Sequence, residues 1–144
     1  SKMPGLDGQK MSKSYGNTIS LRDTAQEIEL KVKRMPTDPA RIKLTDSGNP
    51  SKCPVWQLHE IYSNKSTCEW VVDGCTKAKM GCVECKQPIV SAIQAELGPM
   101  QERIAKYQAD PDLIKQIIHE GSQKARSVAK ETMIEVRDAM GITY

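Results

Sequence analysis

The sequence has 144 residues, of which 38% are apolar and 27% charged, and its net charge is +3. This length is typical of a single domain, and the composition excludes both a membrane protein and a wholly disordered chain. No window contains the ~20 apolar residues that a membrane-spanning helix needs. The first residues do not resemble a signal peptide, so we expect a cytoplasmic protein. The absence of Phe favours a helical core of aliphatic side chains over a sandwich or barrel.

The positive charge is concentrated at the start of the chain. Residues 1–43 contain nine Lys and Arg against five Asp and Glu, whereas residues 44–86 balance at five each and residues 87–144 carry seven against eight. This excess indicates a surface that could meet phosphate groups. A solvated basic face explains the charge equally well.

The first elements in chain order are a loop and a short helix. Residues 1–18 are rich in Gly and contain no periodic apolar pattern, which predicts a loop. Apolar residues then recur at helical spacing, so we predict an amphipathic helix over 24–35. Asp23 is its expected N-cap, with Gln26 completing a capping box.

The remaining pattern is helical and predicts an all-α fold. A second helix starts at Pro54, and a third starts with a capping box at Ser66 and ends at Gly74. Residues 75–85 are predicted to be a loop that carries cysteines. From about Pro88 the chain is helical to its end, with breaks expected near Gly98-Pro99, Asp110-Pro111 and Gly121, and a stop at Gly141. We therefore expect a Gly-rich loop segment (1–20) followed by a helical bundle (21–144).

The pentapeptide Lys10-Met11-Ser12-Lys13-Ser14 is the most informative segment of the loop. Its two ammonium groups stand three residues apart, among hydroxyl groups and between flanking glycines. Such a cationic loop can close over a polyphosphate and stabilise the charge that develops on departing pyrophosphate. For an arbitrary K-x-x-K sequence, a solvated surface segment is the more common explanation.

This pentapeptide, KMSKS, is also the second signature motif of the class I aminoacyl-tRNA synthetases. The match extends through the surrounding PGLDG sequence and Asn17, and through three further segments. The chain resembles the C-terminal part of the bacterial tryptophanyl-tRNA synthetases, with the tyrosyl enzymes as their nearest relatives. The further segments are Thr37-Asp38-Pro39-Ala40-Arg41, Cys53-Pro54-Val55-Trp56-Gln57-Leu58-His59-Glu60-Ile61-Tyr62 and Lys124-Ala125-Arg126.

The resemblance implies a role for each residue of the loop. Lys10 and Lys13 are expected to bind the ATP phosphates and to stabilise the transition state of amino-acid activation. Met11 is expected near the adenine, while Ser12 and Ser14 shape the loop.

The resemblance also implies partners for the chain. These are ATP with Mg²⁺, the anticodon region of tRNA(Trp) and an N-terminal Rossmann domain, in a full-length enzyme that forms a homodimer and uses no membrane. Because these residues contain neither that domain nor a His-Ile-Gly-His-type motif, we expect the chain alone to be inactive. Two alternatives remain open: a non-catalytic, metal-stapled RNA-binding module and an electron-transfer iron–sulfur protein.

Five cysteines form a second group of candidate functional residues, and four of them follow the spacing C-x21-C-x6-C-x2-C. These four residues are Cys53, Cys75, Cys82 and Cys85. Thiolates at such spacing bind Zn²⁺ or hold an iron–sulfur cluster. Cys68 also lies before Cys75 with six residues between them, but we assign it to the interior of a helix. Five free packed cysteines are the remaining alternative.

The resemblance favours one of these metals. Some bacterial tryptophanyl-tRNA synthetases carry a [4Fe–4S] cluster on a motif one residue longer, so a [4Fe–4S] cluster is expected here, with Zn²⁺ as the runner-up. Lys77, Lys79 and Lys86 surround the cysteines and are expected either to contact anticodon phosphates or to offset the charge of the thiolates. His59 and His119 are assigned structural roles.

Overall fold

A computed structural model describes residues 2–142, and the regular secondary structure within this range is helical. Within this range there is no β-strand, only an isolated bridge between Pro4 and Lys10. The all-α prediction is therefore confirmed for the described residues. Two 3₁₀ turns cover Lys13–Tyr15 and Pro50–Lys52, and the α-helices are α1 (Ala25–Arg34), α2 (Pro54–Tyr62), α3 (Lys65–Thr76), α4 (Cys82–Ala109) and α5 (Pro111–Met140).

Helix α1 has a capping box, but it lies one residue later than expected. The Thr24 side chain accepts a hydrogen bond from the Glu27 backbone N–H, and the Glu27 carboxylate accepts one from the Thr24 N–H. The prediction of Asp23 and Gln26 was wrong. Asp23 instead accepts a bond from the Ser20 N–H, which competes with a capping role.

Helix α3 is longer than the sequence pattern suggested. Asn64, not Ser66, is its N-cap and accepts a hydrogen bond from the Thr67 N–H. Gly74 lies inside the helix. A Cβ at this position would stand 2.5 Å from the Met80 Cε atom. This glycine therefore permits close packing and does not end the helix. The predicted loop 75–85 is reduced to residues 77–81.

Two predicted breaks in the C-terminal half do not occur. Helix α4 continues through Pro88 and Pro99, and α5 continues through Gly121. Burial of an apolar face stabilises α4 enough to outweigh the lost hydrogen bonds at its prolines. The predicted break at Asp110-Pro111 and the stop at Gly141 are confirmed; Gly141 has a φ of 67°.

The described chain divides after Gln101 into two compact units. The core of the first unit is formed by α1, α2 and α4, with the residues Ile28, Val32, Met35, Val55, Leu58, Ile89, Val90, Ile93 and Leu97. In the second unit, α5 has no buried residue. The boundary expected near residue 20 stays a prediction. No helix in residues 2–142 is long and apolar enough to cross a bilayer.

Candidate functional site: a cationic loop and a cluster of four thiols

The KMSKS segment belongs to a folded loop in which the chain doubles back on itself. The Met11 N–H donates to the Met3 carbonyl at 2.9 Å, and the Gly5 N–H donates to the Gln9 carbonyl at 2.7 Å. Together with the bridge between Pro4 and Lys10, these bonds fix the start of the pentapeptide against the preceding residues.

Asn17 holds the two sides of this loop together. Its side chain is 4% exposed, and its Nδ2 donates to Asp7 Oδ1 at 2.8 Å and to the Lys10 carbonyl at 3.2 Å. Its Oδ1 accepts from the Ser12 N–H at 2.8 Å. The hydrogen bond from Asn17 also holds the pKa of Asp7 below its usual value. Gly5 is required here, since a Cβ would stand 2.4 Å from Asn17 Nδ2.

The two lysines of the motif are presented to solvent. Lys10 and Lys13 are both exposed, and within residues 2–142 neither forms an ion pair. Lys13 opens the first 3₁₀ turn, and the hydroxyls of Ser12 and Ser14 lie 2.8 Å apart. A fixed backbone thus carries two ammonium groups that can meet an anion. Met11 is half-buried.

The four cysteines of the predicted quartet line one small cavity of about 20 Å³. Cys53 precedes α2, Cys75 lies in the last turn of α3, and Cys82 and Cys85 lie in the first turn of α4. Cys68 is directed elsewhere, with its Sγ 3.6 Å from the carbonyl oxygen of His59. The structure therefore brings together the four residues that the spacing selected and leaves the fifth outside.

Burial disfavours ionisation of two of these thiols, Cys75 and Cys85. Burial raises the pKa of Cys75, and it raises the pKa of Cys85 to about 12. Two positive side chains counter this effect. Arg41 places Nη1 3.9 Å from the Sγ atoms of both Cys75 and Cys82. The Lys86 ammonium favours the thiolate of Cys85, while its own pKa is lowered by burial.

Arg41 is the polar side chain that connects the loop 36–49 to the thiols. Its Nη2 donates to the Met80 carbonyl at 2.5 Å and to the Leu44 carbonyl at 3.2 Å. Its Nε is buried and has no hydrogen-bond partner among the described residues. Gly48 permits the close approach, because a Cβ there would stand 2.5 Å from Cys75 Sγ.

The residues around the cavity fit a thiophilic group. No three His, Cys, Asp or Glu side chains in residues 2–142 form a ready site for a metal ion. Nevertheless four sulfurs line one cavity, with an unpartnered cationic N–H of Arg41 beside them. Thiolates are the ligands that Zn²⁺ and iron–sulfur clusters prefer, and nearby positive charge offsets the charge of four such ligands.

Of the three lysines near the thiols in the sequence, one is buried and two are exposed. Lys86 is 4% exposed, and its Nζ donates to the carbonyls of Lys33 and Met35, each at 2.7 Å. Of the two alternatives for Lys86, this burial excludes contact with RNA phosphates, because its ammonium caps the end of α1 inside the protein. Lys77 and Lys79 both pair with Asp73 and remain largely exposed.

The two histidines occupy different environments. His59 is fully buried, and its imidazole contacts Ser63 and Cys85. His119 is exposed and bonds to Gln123 on the same helix. Sequence reasoning selected the thiols but missed Asn17, Arg41 and His59 as the residues that contact the loop and the cluster. All three belong to segments that carry the family resemblance, which was the available signal.

Comparison with curated proteins finds relatives that match nearly all of this chain. The chain is 58% identical, over its full length, to the tryptophan–tRNA ligase of Ralstonia nicotianae, of which it covers 36%. It is 45% identical to the tryptophan–tRNA ligase of Thermotoga maritima, over 99% of this chain and 44% of the relative. The chain thus spans less than half the length of these relatives.

A solved structure shares the fold. The tryptophanyl-tRNA synthetase of Campylobacter jejuni, crystallised with ADP and tryptophan, aligns with 98% of this chain and 44% of its own, with a TM-score of 0.82 and 24% identity. The family model "tRNA synthetases class I (W and Y)" matches residues 2–98, which is more than half of the sequence. The chain therefore belongs to the class I tRNA synthetases of the W and Y group.

Proposed function

We propose that this chain is the C-terminal part of a tryptophan–tRNA ligase, which activates tryptophan with ATP and transfers it to tRNA(Trp). The observation that carries the proposal is the folded KMSKS loop, in which Asn17 fixes a backbone that presents Lys10 and Lys13 to solvent. The named relatives support it, and none of them is a non-catalytic RNA-binding module.

In this function the loop lysines act on phosphate. Activation of an amino acid by ATP releases pyrophosphate, so negative charge grows on the departing group in the transition state. Ammonium groups placed at that charge lower the barrier more than they stabilise bound ATP. Lys13 and Lys10 carry this role, with Met11 near the adenine and Ser12 and Ser14 shaping the loop. Mg²⁺ accompanies the ATP.

The helical part recognises the tRNA. Unpaired anticodon bases expose their edges and bind to a rigid surface, and phosphate contacts come from Lys and Arg. Lys77 and Lys79, which follow Cys75 in the chain, pair with Asp73 and are largely exposed, so they can make such contacts. A Rossmann domain that binds ATP and tryptophan is the partner within the same protein, and the full-length enzyme acts as a homodimer in the cytoplasm.

The thiol cavity is proposed to hold a [4Fe–4S] cluster through Cys53, Cys75, Cys82 and Cys85, with Zn²⁺ as the alternative. The convergence of these cysteines and the adjacent Arg41 support the assignment. When bound, such a group cross-links the segments before α2, at the end of α3 and at the start of α4, and so stabilises a domain with a small core.

Aminoacylation by the full-length protein tests the function. We expect tryptophan, and not tyrosine, to be attached to tRNA(Trp) in an ATP-dependent reaction. The isolated 144 residues should not exchange pyrophosphate into ATP, because they lack the adenosine and tryptophan sites. Charging with tyrosine, or no charging at all, would refute the proposal.

A further inference from the structure

His59 occupies a position at the thiol cluster that its assignment as a structural residue does not explain. The side chain is 0% exposed, and both ring nitrogens have a polar neighbour. Nδ1 lies 2.8 Å from the Ser63 hydroxyl, and Nε2 lies 3.4 Å from Cys85 Sγ. A buried imidazole is thus placed between the end of α2 and the first turn of α4.

We propose that His59 is a positioning residue, which donates its Nε2–H to the sulfur of Cys85 and thereby holds this ligand in place for the metal group. This inference rests on the proposed metal site at the four thiols. It assigns His59 a place outside the ligand set, as the hydrogen-bond donor to one ligand.

The direction of the hydrogen bonds follows from the chemistry of the sulfur. A ligating cysteine is a thiolate, which can accept a hydrogen bond but cannot donate one. Nε2 must therefore carry the proton of the neutral imidazole, and Nδ1 must accept. The Ser63 hydroxyl can supply the required donor, because it is free to rotate. The Ser63 N–H donates to the His59 carbonyl at 2.9 Å, which holds the two residues together.

The Cys85 sulfur is contacted by a different polar side chain from the one that serves Cys75 and Cys82. The Arg41 guanidinium contacts Cys75 and Cys82, and His59 is the side chain that contacts Cys85. The Cys68 thiol, which donates to the His59 carbonyl at 3.6 Å, further fixes the backbone that carries the imidazole.

The proposal gives His59 two measurable effects. Loss of the hydrogen-bond partner of a metal ligand lowers metal affinity by about 10- to 100-fold. Hydrogen bonds to the sulfurs also raise the reduction potential of an iron–sulfur cluster, because they stabilise the more negative reduced state. A residue that only fills space would affect stability without shifting the potential.

The test compares variants of the 144-residue chain, reconstituted with iron and sulfide without oxygen. The variants are His59→Leu, which removes the donor, and His59→Gln, whose amide can replace the Nε2–H. Ser63→Ala tests the partner of Nδ1, and His119→Leu is the matched control at an exposed histidine. We expect His59→Leu to hold iron against a chelator with an affinity about 10- to 100-fold lower than that of wild type and to have a more negative potential. His59→Gln and His119→Leu should resemble wild type, and Ser63→Ala should lie between.

If the anaerobic protein contains zinc, the same variants are compared by chelator competition for Zn²⁺, with the same ranking expected. A potential or affinity that is unchanged in His59→Leu while wild type binds metal would overturn the role of His59 alone. Wild-type protein that binds neither metal would overturn the metal site and this inference together, leaving the ligase function untouched. If His59→Leu does not fold, a His59→Gln variant with the lowered potential or affinity contradicts the proposal.

Discussion

Arg41 lies 34 residues before Cys75 in the sequence, yet its Nη1 stands 3.9 Å from the Cys75 sulfur. The contact is accompanied by a backbone hydrogen bond of 3.0 Å from the Gly48 N–H to the Cys75 carbonyl. The loop 36–49 is therefore attached to the end of α3 through both the Arg41 side chain and the Gly48 backbone. The thiol cavity is closed on this side by a loop whose shape depends on its own polar contacts.

Asp38 organises that loop, and we expect it to make the fold sensitive to acid. Its carboxylate accepts backbone hydrogen bonds from Ala40 at 3.0 Å and from Asn49 at 2.7 Å, which hold its pKa below the usual value. A carboxyl with a lowered pKa stabilises the folded state above its ordinary pKa, and this stability is lost as the pH falls below about 4.

Chemical unfolding at pH 6 and pH 3 measures this effect. Asp38→Asn should be less stable than wild type at pH 6 and should lose less stability than wild type between the two values. Asp138→Asn, at an exposed position of α5, is the control. An equal pH dependence in wild type and Asp38→Asn would contradict the role of these hydrogen bonds.

The capping box of α1 gives a second prediction. Thr24→Ala removes the acceptor of the Glu27 N–H and should lower the free energy of unfolding by about 1 kcal/mol. Gln26→Ala, at the position that the sequence pattern selected, should change it by less than about 0.5 kcal/mol. Urea denaturation of the two variants measures both values. The reverse ranking would show that the box lies where the sequence placed it.

The start of α1 also shows which features of the fold could be predicted from the sequence. The pattern of apolar residues located α1 and α2, because helical periodicity and turn-forming residues are properties of a short stretch of sequence. It misplaced the cap, since Asp23 and Thr24 are both good N-caps, and the Asp23 carboxylate instead binds the Ser20 N–H and the Lys31 ammonium. It shortened α3, because the packing of Met80 against Gly74 is a contact between elements.

The candidate site divides in the same way. The spacing of the cysteines selected the four that line one cavity, because a C-x2-C pair with further cysteines nearby is typical of a single metal site. The sequence could not identify the partners of these sulfurs. Arg41 and His59 reach Cys75 and Cys85 only through the tertiary fold, and Lys86 is buried against the end of α1 for the same reason.

The thiol site predicts different outcomes for Cys82→Ser and Cys68→Ser. Because metal binding supplies folding energy to a small domain, anaerobic Cys82→Ser should lose the bound metal and be far less stable over residues 53–86. Cys68→Ser should keep the bound metal and the stability of this region, since the Cys68 sulfur lies outside the cavity. Elemental analysis for iron, sulfide and zinc, combined with hydrogen exchange, measures both properties. Equal metal content and equal protection in the two variants would exclude the site.

Binding to tRNA gives a prediction for the helical part. We expect the 144-residue chain to bind the anticodon arm of tRNA(Trp) weakly, with an affinity that falls as salt rises, because Lys and Arg release counterions from phosphates. Lys77→Glu should weaken binding, whereas Lys115→Glu, on α5, serves as the control. Fluorescence anisotropy with the natural and an altered anticodon measures both dependences. An affinity that depends on neither the salt concentration nor the anticodon sequence would contradict tRNA recognition by the helical part.

We propose a role for the KMSKS loop in stabilising the transition state of tryptophan activation. Its most direct test is tryptophan-dependent pyrophosphate exchange by the full-length enzyme, comparing wild type with Lys13→Ala and with Lys65→Ala, an exposed lysine on α3. Loss of a group that stabilises developing charge costs about 100-fold in rate. We therefore expect Lys13→Ala to lower kcat by about that factor, with little change in the KM for tryptophan, while Lys65→Ala matches wild type. An unchanged kcat, or a change confined to the KM for tryptophan, would contradict the account.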